Sequence, residues 1–165
     1  MKRLTLIRHG KSSWKDCALA DFDRPLNPRG MRDAPRMGQR LASRGLVPDF
    51  ILSSPARRAH QTATALAERL GLSEPQLGLQ SSIYQAEPAT LLELIRGFEQ
   101  NWRHVMIVGH NPGLTDLGNL LADGVIDNLP TCGLLVIDFA VDRWTEIAPR
   151  GGTLKLFDFP KNPAT

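Results

Sequence analysis

His9 stands between an arginine and a glycine, and His110 between a glycine and an asparagine. A third polar string, Ser53-Ser54-Pro55-Ala56-Arg57-Arg58, carries a pair of adjacent arginines. These residue types share one chemistry. The guanidinium of arginine is a planar fork that matches two oxygens of a tetrahedral oxyanion, and helix N-termini add free N–H groups to the same anion. Neutral imidazole is a competent nucleophile near neutral pH and can carry a phosphoryl group covalently. Gly10, directly after His9, would let the backbone turn sharply so that the ring addresses such a group. Arginines and the second histidine would stabilise charge on the equatorial oxygens, with no metal required. Each string alone is weak, because a histidine at a strand end is usually incidental and paired arginines can simply be solvated. Arginine at a helix start does oppose the helix dipole, which slightly favours an anion nearby. The weight lies in the combination.

For the three strings to cooperate, the fold must bring distant segments together. Residues 4–7 read as a short buried strand that stops at Arg8, and residues 11–24 as a polar loop. Asn27 looks like an N-cap with Pro28 at the first helical position, and Met31, Ala34, Met37, Leu41 and Ala42 recur at helical spacing up to Gly45. Residues 50–52 predict a second strand. Ser54 and Pro55 predict a cap and first helical residue, opening a helix over 56–70 that closes at Gly71. A third strand is expected over 79–84, and a helix over 90–100 with Leu91, Leu94, Ile95 and Phe98 on one face. Residues 105–108 are the clearest buried strand, followed by a helix over 114–122. Three strands are expected late in the chain, over 134–140, 144–148 and 154–159. Alternating strands and helices with a strand-rich tail predict a three-layer α/β/α sandwich: a mostly parallel central sheet with helices on both faces. In such sheets ligands bind beyond the carboxyl ends of the strands, which is where all three polar strings fall.

Composition narrows the alternatives. The 165 residues suit a single domain spanning 1–165, without repeat or linker, and 42% hydrophobic with 22% charged residues is ordinary for a globular chain. A net charge of +3, with scattered basic residues, argues against a nucleic-acid partner. The apolar run after Lys2 and Arg3 is too short for a signal-peptide core, and no stretch is long enough to span a membrane. Cys17 and Cys132 match no metal-ligand spacing and read as reduced thiols, so a cytoplasmic protein without membrane association is expected.

The strings Leu6-Ile7-Arg8-His9-Gly10, Ser53-Ser54-Pro55-Ala56-Arg57-Arg58-Ala59-His60-Gln61-Thr62 and Val108-Gly109-His110 resemble the histidine phosphatase, or phosphoglycerate mutase-like, superfamily in order and separation. The short length and Asp23-Arg24-Pro25-Leu26-Asn27-Pro28-Arg29-Gly30 look like the SixA-type phosphohistidine phosphatases within it. The resemblance implies His9 as nucleophile, Arg8 and Arg58 as phosphate ligands, and His110 as a phosphate contact that steadies the transition state. Arg57 is then a neighbour of the pocket. Arg24 would be a further pocket cation, with Gly10, Lys11 and Ser12 at the substrate-binding rim. The resemblance implies no metal and no cofactor.

The general acid is the least determined assignment. Larger members of the family carry a glutamate after the third strand, inside an insertion that this chain lacks. Glu87 is the nearest candidate, although it could equally be a helix-start carboxylate, and Asp21 and Asp23 are others. A phosphohistidine substrate asks less of an acid, because imidazole leaves far more readily than an alkoxide. The expected substrate is therefore a phosphorylated protein or peptide, which a shallow pocket without the insertion would admit. A small phosphomonoester on the same scaffold is the alternative, and a non-catalytic phosphate-binding module a third reading; a mutase fits less well without lid and acid. His60 and His104 are expected at the surface or a strand edge, Trp14 at the pocket mouth, and Trp102 and Trp144 at the edges of the core.

Overall fold

The computed structural model describes residues 1–124 and 126–163. Among them, the apolar runs become six strands of one sheet: β1 (Lys2–Arg8), β2 (Phe50–Ser53), β3 (Leu77–Leu79), β4 (His104–Gly109), β5 (Leu134–Phe139) and β6 (Gly152–Asp158). Their order across the sheet is β3-β2-β4-β1-β5-β6. The pairs β2–β3, β2–β4 and β1–β4 are parallel, whereas β5 runs antiparallel to β1 and β6 antiparallel to β5. Helices α1 (Pro28–Ser43) and α2 (Arg57–Leu70) pack on Ile7, Ile51, Met106 and Val108. On the opposite face α3 (Pro88–Arg96) and α4 (Gly113–Leu121) pack on Leu4, Leu6, Val105 and Ile107. Side chains of successive strand residues point to opposite faces, so these two sets alternate along β1 and β4. This is the three-layer α/β/α sandwich that the alternation of elements predicts. No helix among the described residues is long and apolar enough to cross a membrane.

Local signals account for most helix ends. The Asn27 side chain accepts from the Gly30 amide at 2.9 Å, and Pro28 opens α1 where its missing N–H costs nothing. Gly45 and Gly71 each adopt φ of 70°, the left-handed turn that ends a helix. Within α1 the buried face is Ala34, Met37 and Leu41, while Met31 is 61% exposed and lies outside the face expected for it.

Other expectations need correction. Helix α2 begins at Arg57 behind Ala56; the buried Ser54 Oγ accepts from the Ala56 amide at 3.2 Å in the turn ahead of the helix and also lies 2.7 Å from His110 Nε2. The third strand is Leu77–Leu79, and Ser81–Ile83 is a 3-10 turn that inserts Ile83 alone into the core. Helix α3 stops at Arg96, and Leu92 is buried on it where Leu94 was expected. The segment over 144–148 is no strand: Trp144–Glu146 is a 3-10 turn, which places the buried Trp144 and Ile147 three residues apart on one side. Trp144 is wholly inside the core rather than at its edge, its Nε1–H donating to the Trp102 carbonyl at 2.9 Å. His104 is likewise buried, at the start of a central strand, within 2.8 Å of Thr5 Oγ1. His60 is exposed on α2.

Candidate active site

Because β1, β2 and β4 are parallel neighbours, their carboxyl ends open on one edge of the sheet. Arg8 pairs with Gly109 and Ser53 with Val108, so His9, Ser54 and His110 leave the sheet side by side. The ring centroids of His9 and His110 are 5.1 Å apart. The two histidines, separated by a hundred residues of chain, therefore share one pocket.

His9 Nδ1 lies 2.7 Å from the Gly10 carbonyl oxygen, which can only accept, so this nitrogen carries the proton. The lone pair is left on Nε2, where the Arg58 Nε–H donates to it at 3.3 Å. Burial, and then the neighbouring His110, Arg58 and Arg8, hold His9 down to about 3, outweighing the raising effect of the Gly10 carbonyl. His9 is thus neutral, with an unprotonated ring nitrogen, at physiological pH. His110 is pushed down to about 4 by burial and by Arg58. Its Nδ1 is 3.5 Å from an Arg58 nitrogen and its Nε2 is 2.7 Å from Ser54 Oγ. Since a guanidinium only donates, the His110 proton sits on Nε2 and is given to Ser54.

Arg58, at the first turn of α2, is the hub of this arrangement and is only 6% exposed, whereas Arg57 beside it faces solvent. Thr62, one turn along the same helix, accepts from the Gly10 amide at 3.0 Å and donates to the Arg58 carbonyl at 2.7 Å. That hydroxyl ties the exit of β1 to the start of α2 and fixes Arg58 relative to His9. Gly10 is required for close approach rather than for a special turn. A Cβ at this position would lie 3.1 Å from Cys132 Sγ, Gly30 Cα and Leu26 Cδ2.

A cavity of about 340 Å³ opens here, lined by Arg8, His9, Lys11, Ser12, Arg24, Arg58 and His110, with Trp14 at its mouth. Arg24 is 7% exposed and stacks over the Trp14 ring at 3.5 Å. Its Nε and one terminal nitrogen are buried without a hydrogen-bond partner, as is the Arg8 Nε. Buried guanidinium N–H groups without acceptors are costly, and an oxyanion in the cavity would satisfy them. A second cavity of about 440 Å³ adjoins the first through Arg58, His110 and Asn111, and Glu87 lines it. Glu87 stands at the N-cap of α3, the helix-start position the sequence left open to it, and its carboxylate makes no cap hydrogen bond.

Asp21, one of the acid candidates named from sequence, plays a different part. Its carboxylate accepts from Arg58 at 3.0 Å, from Arg24 at 3.1 Å and from the Tyr84 hydroxyl at 2.6 Å. The Tyr84 hydrogen bond first, then Arg58, draws Asp21 down to about 2. It is therefore ionised and accepts hydrogen bonds rather than supplying a proton. Asp23 is exposed in the same 3-10 turn. Tyr84 was missed by sequence reasoning, although one signal was available: it is the chain's single tyrosine and lies just before Glu87. Among the described residues no group of three or more His, Cys, Asp or Glu side chains is placed to hold a metal ion.

Comparison with known proteins agrees with this geometry. The family model of the histidine phosphatase superfamily (branch 1) matches residues 4–78. An uncharacterised protein of Mycobacterium tuberculosis is 32% identical over 165 residues, covering 94% of this chain and 100% of its own length. The crystal structure assigned as the phosphohistidine phosphatase SixA of Agrobacterium tumefaciens is 30% identical with a TM-score of 0.79, over 96% of this chain and 98% of that one. A protein histidine phosphatase SixA complexed with tungstate has the same fold, with a TM-score of 0.78 at 20% identity over 97% and 98% of the two chains. The chain belongs to the histidine phosphatase superfamily, and its fold is that of the SixA structures.

The buried histidines also set a pH dependence of stability. His9, His104 and His110 are held at about 3, 4 and 4 in the folded chain, against about 6.5 when unfolded. Between these values the unfolded chain binds protons that the native state refuses, so stability present above about pH 6.5 is lost as pH falls. The lowered carboxylates Asp21 and Asp138 would act in the same direction only at still lower pH. The midpoint of urea unfolding is expected to drop steadily between about pH 7 and pH 5, at up to about 1.4 kcal/mol per pH unit for each histidine. A flat profile across that interval would show that these rings are not buried in the neutral form.

Proposed function

We propose that the protein is a phosphatase that uses His9 as nucleophile and removes the phosphoryl group from phosphohistidine in a protein or peptide. The observation that carries this reading is the unprotonated His9 Nε2, 3.3 Å from the Arg58 Nε–H, on the wall of a cavity otherwise lined by buried arginines and a second histidine. Nε2 attacks phosphorus while the bond from phosphorus to the leaving imidazole nitrogen breaks, and that imidazole takes up a proton. Water then attacks the phosphorus on His9, releasing inorganic phosphate, a proton and the neutral ring. Arg8, Arg24 and Arg58 would hold the equatorial oxygens, and His110 would donate to them when its proton turns from Ser54 to the phosphoryl group. Gly10 lets the loop close on α1, and Lys11 and Ser12 line the entrance.

Kinetics on a phosphohistidine protein and on a panel of sugar and nucleotide phosphates test the substrate. The expected result is a kcat/KM at least about a hundredfold higher on phosphohistidine, because imidazole needs little acid assistance to leave. EDTA is expected to leave turnover unchanged, since protein cations supply the charge. A marked preference for small esters would favour the second reading, a phosphomonoesterase. One observation supports that alternative: the uncapped Glu87 carboxylate on the adjoining cavity, where an alkoxide would need a proton. No turnover of any phosphate compound would leave only a binding module.

A further inference from the structure

The cavity around His9 has two lobes of opposite charge. The first, which holds His9, is lined by Arg8, Lys11, Arg24 and Arg58 and by no carboxylate. Arg24, 7% exposed and with two nitrogens buried without a partner, anchors the phosphoryl end there. The second lobe is lined by Asp21, Glu87 and Asp116, with Arg58 as its only cationic side chain. Arg58 is already engaged by Asp21, through the carboxylate at 3.0 Å and the backbone carbonyl at 2.7 Å. His110, on the wall shared by the two lobes, is neutral at physiological pH because burial holds it at about 4. The second lobe therefore presents net negative charge directly beside the phosphate lobe. A leaving group that extends past His110 and Arg58 would enter this lobe, where a carboxylate or second phosphate on it would meet the carboxylates of Glu87 and Asp116.

Resting on the phosphohistidine reading above, we propose that Glu87, Asp116 and Asp21 form a leaving-group subsite selecting a phosphohistidine flanked by lysine or arginine in a peptide or protein. Asp21 and Glu87 enter from opposite directions in the chain, one on the loop before α1 and one at the start of α3, and Asp116 comes from the first turn of α4. Glu87 spends no hydrogen bond on capping its helix. Glu87 and Asp116 are exposed, so neutral substitutions there spare the core.

The test compares two phosphohistidine peptides that differ only in flanking lysines or glutamates, together with phosphoethanolamine and 3-phosphoglycerate. Each is measured with the natural enzyme and with Glu87→Gln/Asp116→Asn. The natural enzyme is expected to favour the lysine peptide in kcat/KM by about tenfold or more, the double variant by no more than about threefold. Equal turnover of the two peptides, or a preference unchanged in the variant, overturns the subsite. If only the small esters are hydrolysed, the phosphohistidine reading fails by itself. The subsite then stands if phosphoethanolamine outruns 3-phosphoglycerate and the variant loses that preference, and falls otherwise. No turnover of any of the four overturns both.

Discussion

His9→Ala is expected to lower turnover of a phosphohistidine substrate by at least about 10,000-fold, and to abolish acid-labile phosphate on the enzyme. Removing a covalent nucleophile costs that much because the remaining donors can bind the phosphoryl group but give it no nitrogen to move to. The ring is prepared for the role in the free protein. Its Nδ1 proton is engaged by the Gly10 carbonyl, its Nε2 is unprotonated, and burial keeps it so down to about pH 3. Single-turnover kinetics with labelled substrate, followed by acid and base lability of any label on the protein, read the effect. Wild-type rates in His9→Ala would remove the mechanism altogether, and loss of label with retained turnover would replace it by direct attack of water.

Arg58→Met is expected to cost about 100- to 1,000-fold in kcat/KM, the loss typical of one preorganised donor aimed at developing charge. Three effects coincide at this residue. The cavity loses a buried guanidinium, His9 Nε2 loses the N–H that orients it, and Asp21 loses a partner while keeping Arg24 and Tyr84. Less positive charge would then separate the phosphate from the Asp21 carboxylate of the adjoining lobe, so KM should rise as kcat falls. Arg58→Lys should restore only part of the rate, because an ammonium cannot reach His9, Asp21 and a phosphate oxygen with one planar fork. Arg57→Ala, on the exposed neighbour, serves as control and should change kcat/KM by less than about threefold. A loss at Arg57 equal to that at Arg58 would mean that the wrong arginine faces the reacting group.

Much of this arrangement was legible from the chain alone. The strands that deliver Arg8, Ser53 and Gly109 are short apolar runs, and the run at Val105 to Val108 is apolar throughout because β4 is covered on both faces. Asn27-Pro28 and Gly71 announce helix ends through caps and a left-handed turn, which depend on neighbours in sequence. Misreadings arose where a hydrophobic residue answers to a distant contact. Trp144 and Ile147 look like strand residues until the wall formed by Trp102 and Phe98 shows why they share one side of a tight turn. Ser54 satisfies the pattern of a helix cap and does accept from the Ala56 amide, yet its hydroxyl also serves His110 from 56 positions away.

Which chemical groups are present, and which strand or helix presents each, follows from the order of residues, since propensity, capping and periodicity are short-range. The state of those groups depends on contacts made when the chain is folded. The tautomer of His9, the service of Asp21 to two arginines, its bond to Tyr84 63 residues on, and the opposite charges of the two lobes all arise between remote segments. Electrostatics and hydrogen bonding act through space at a few ångströms, and separation along the chain carries no record of that distance.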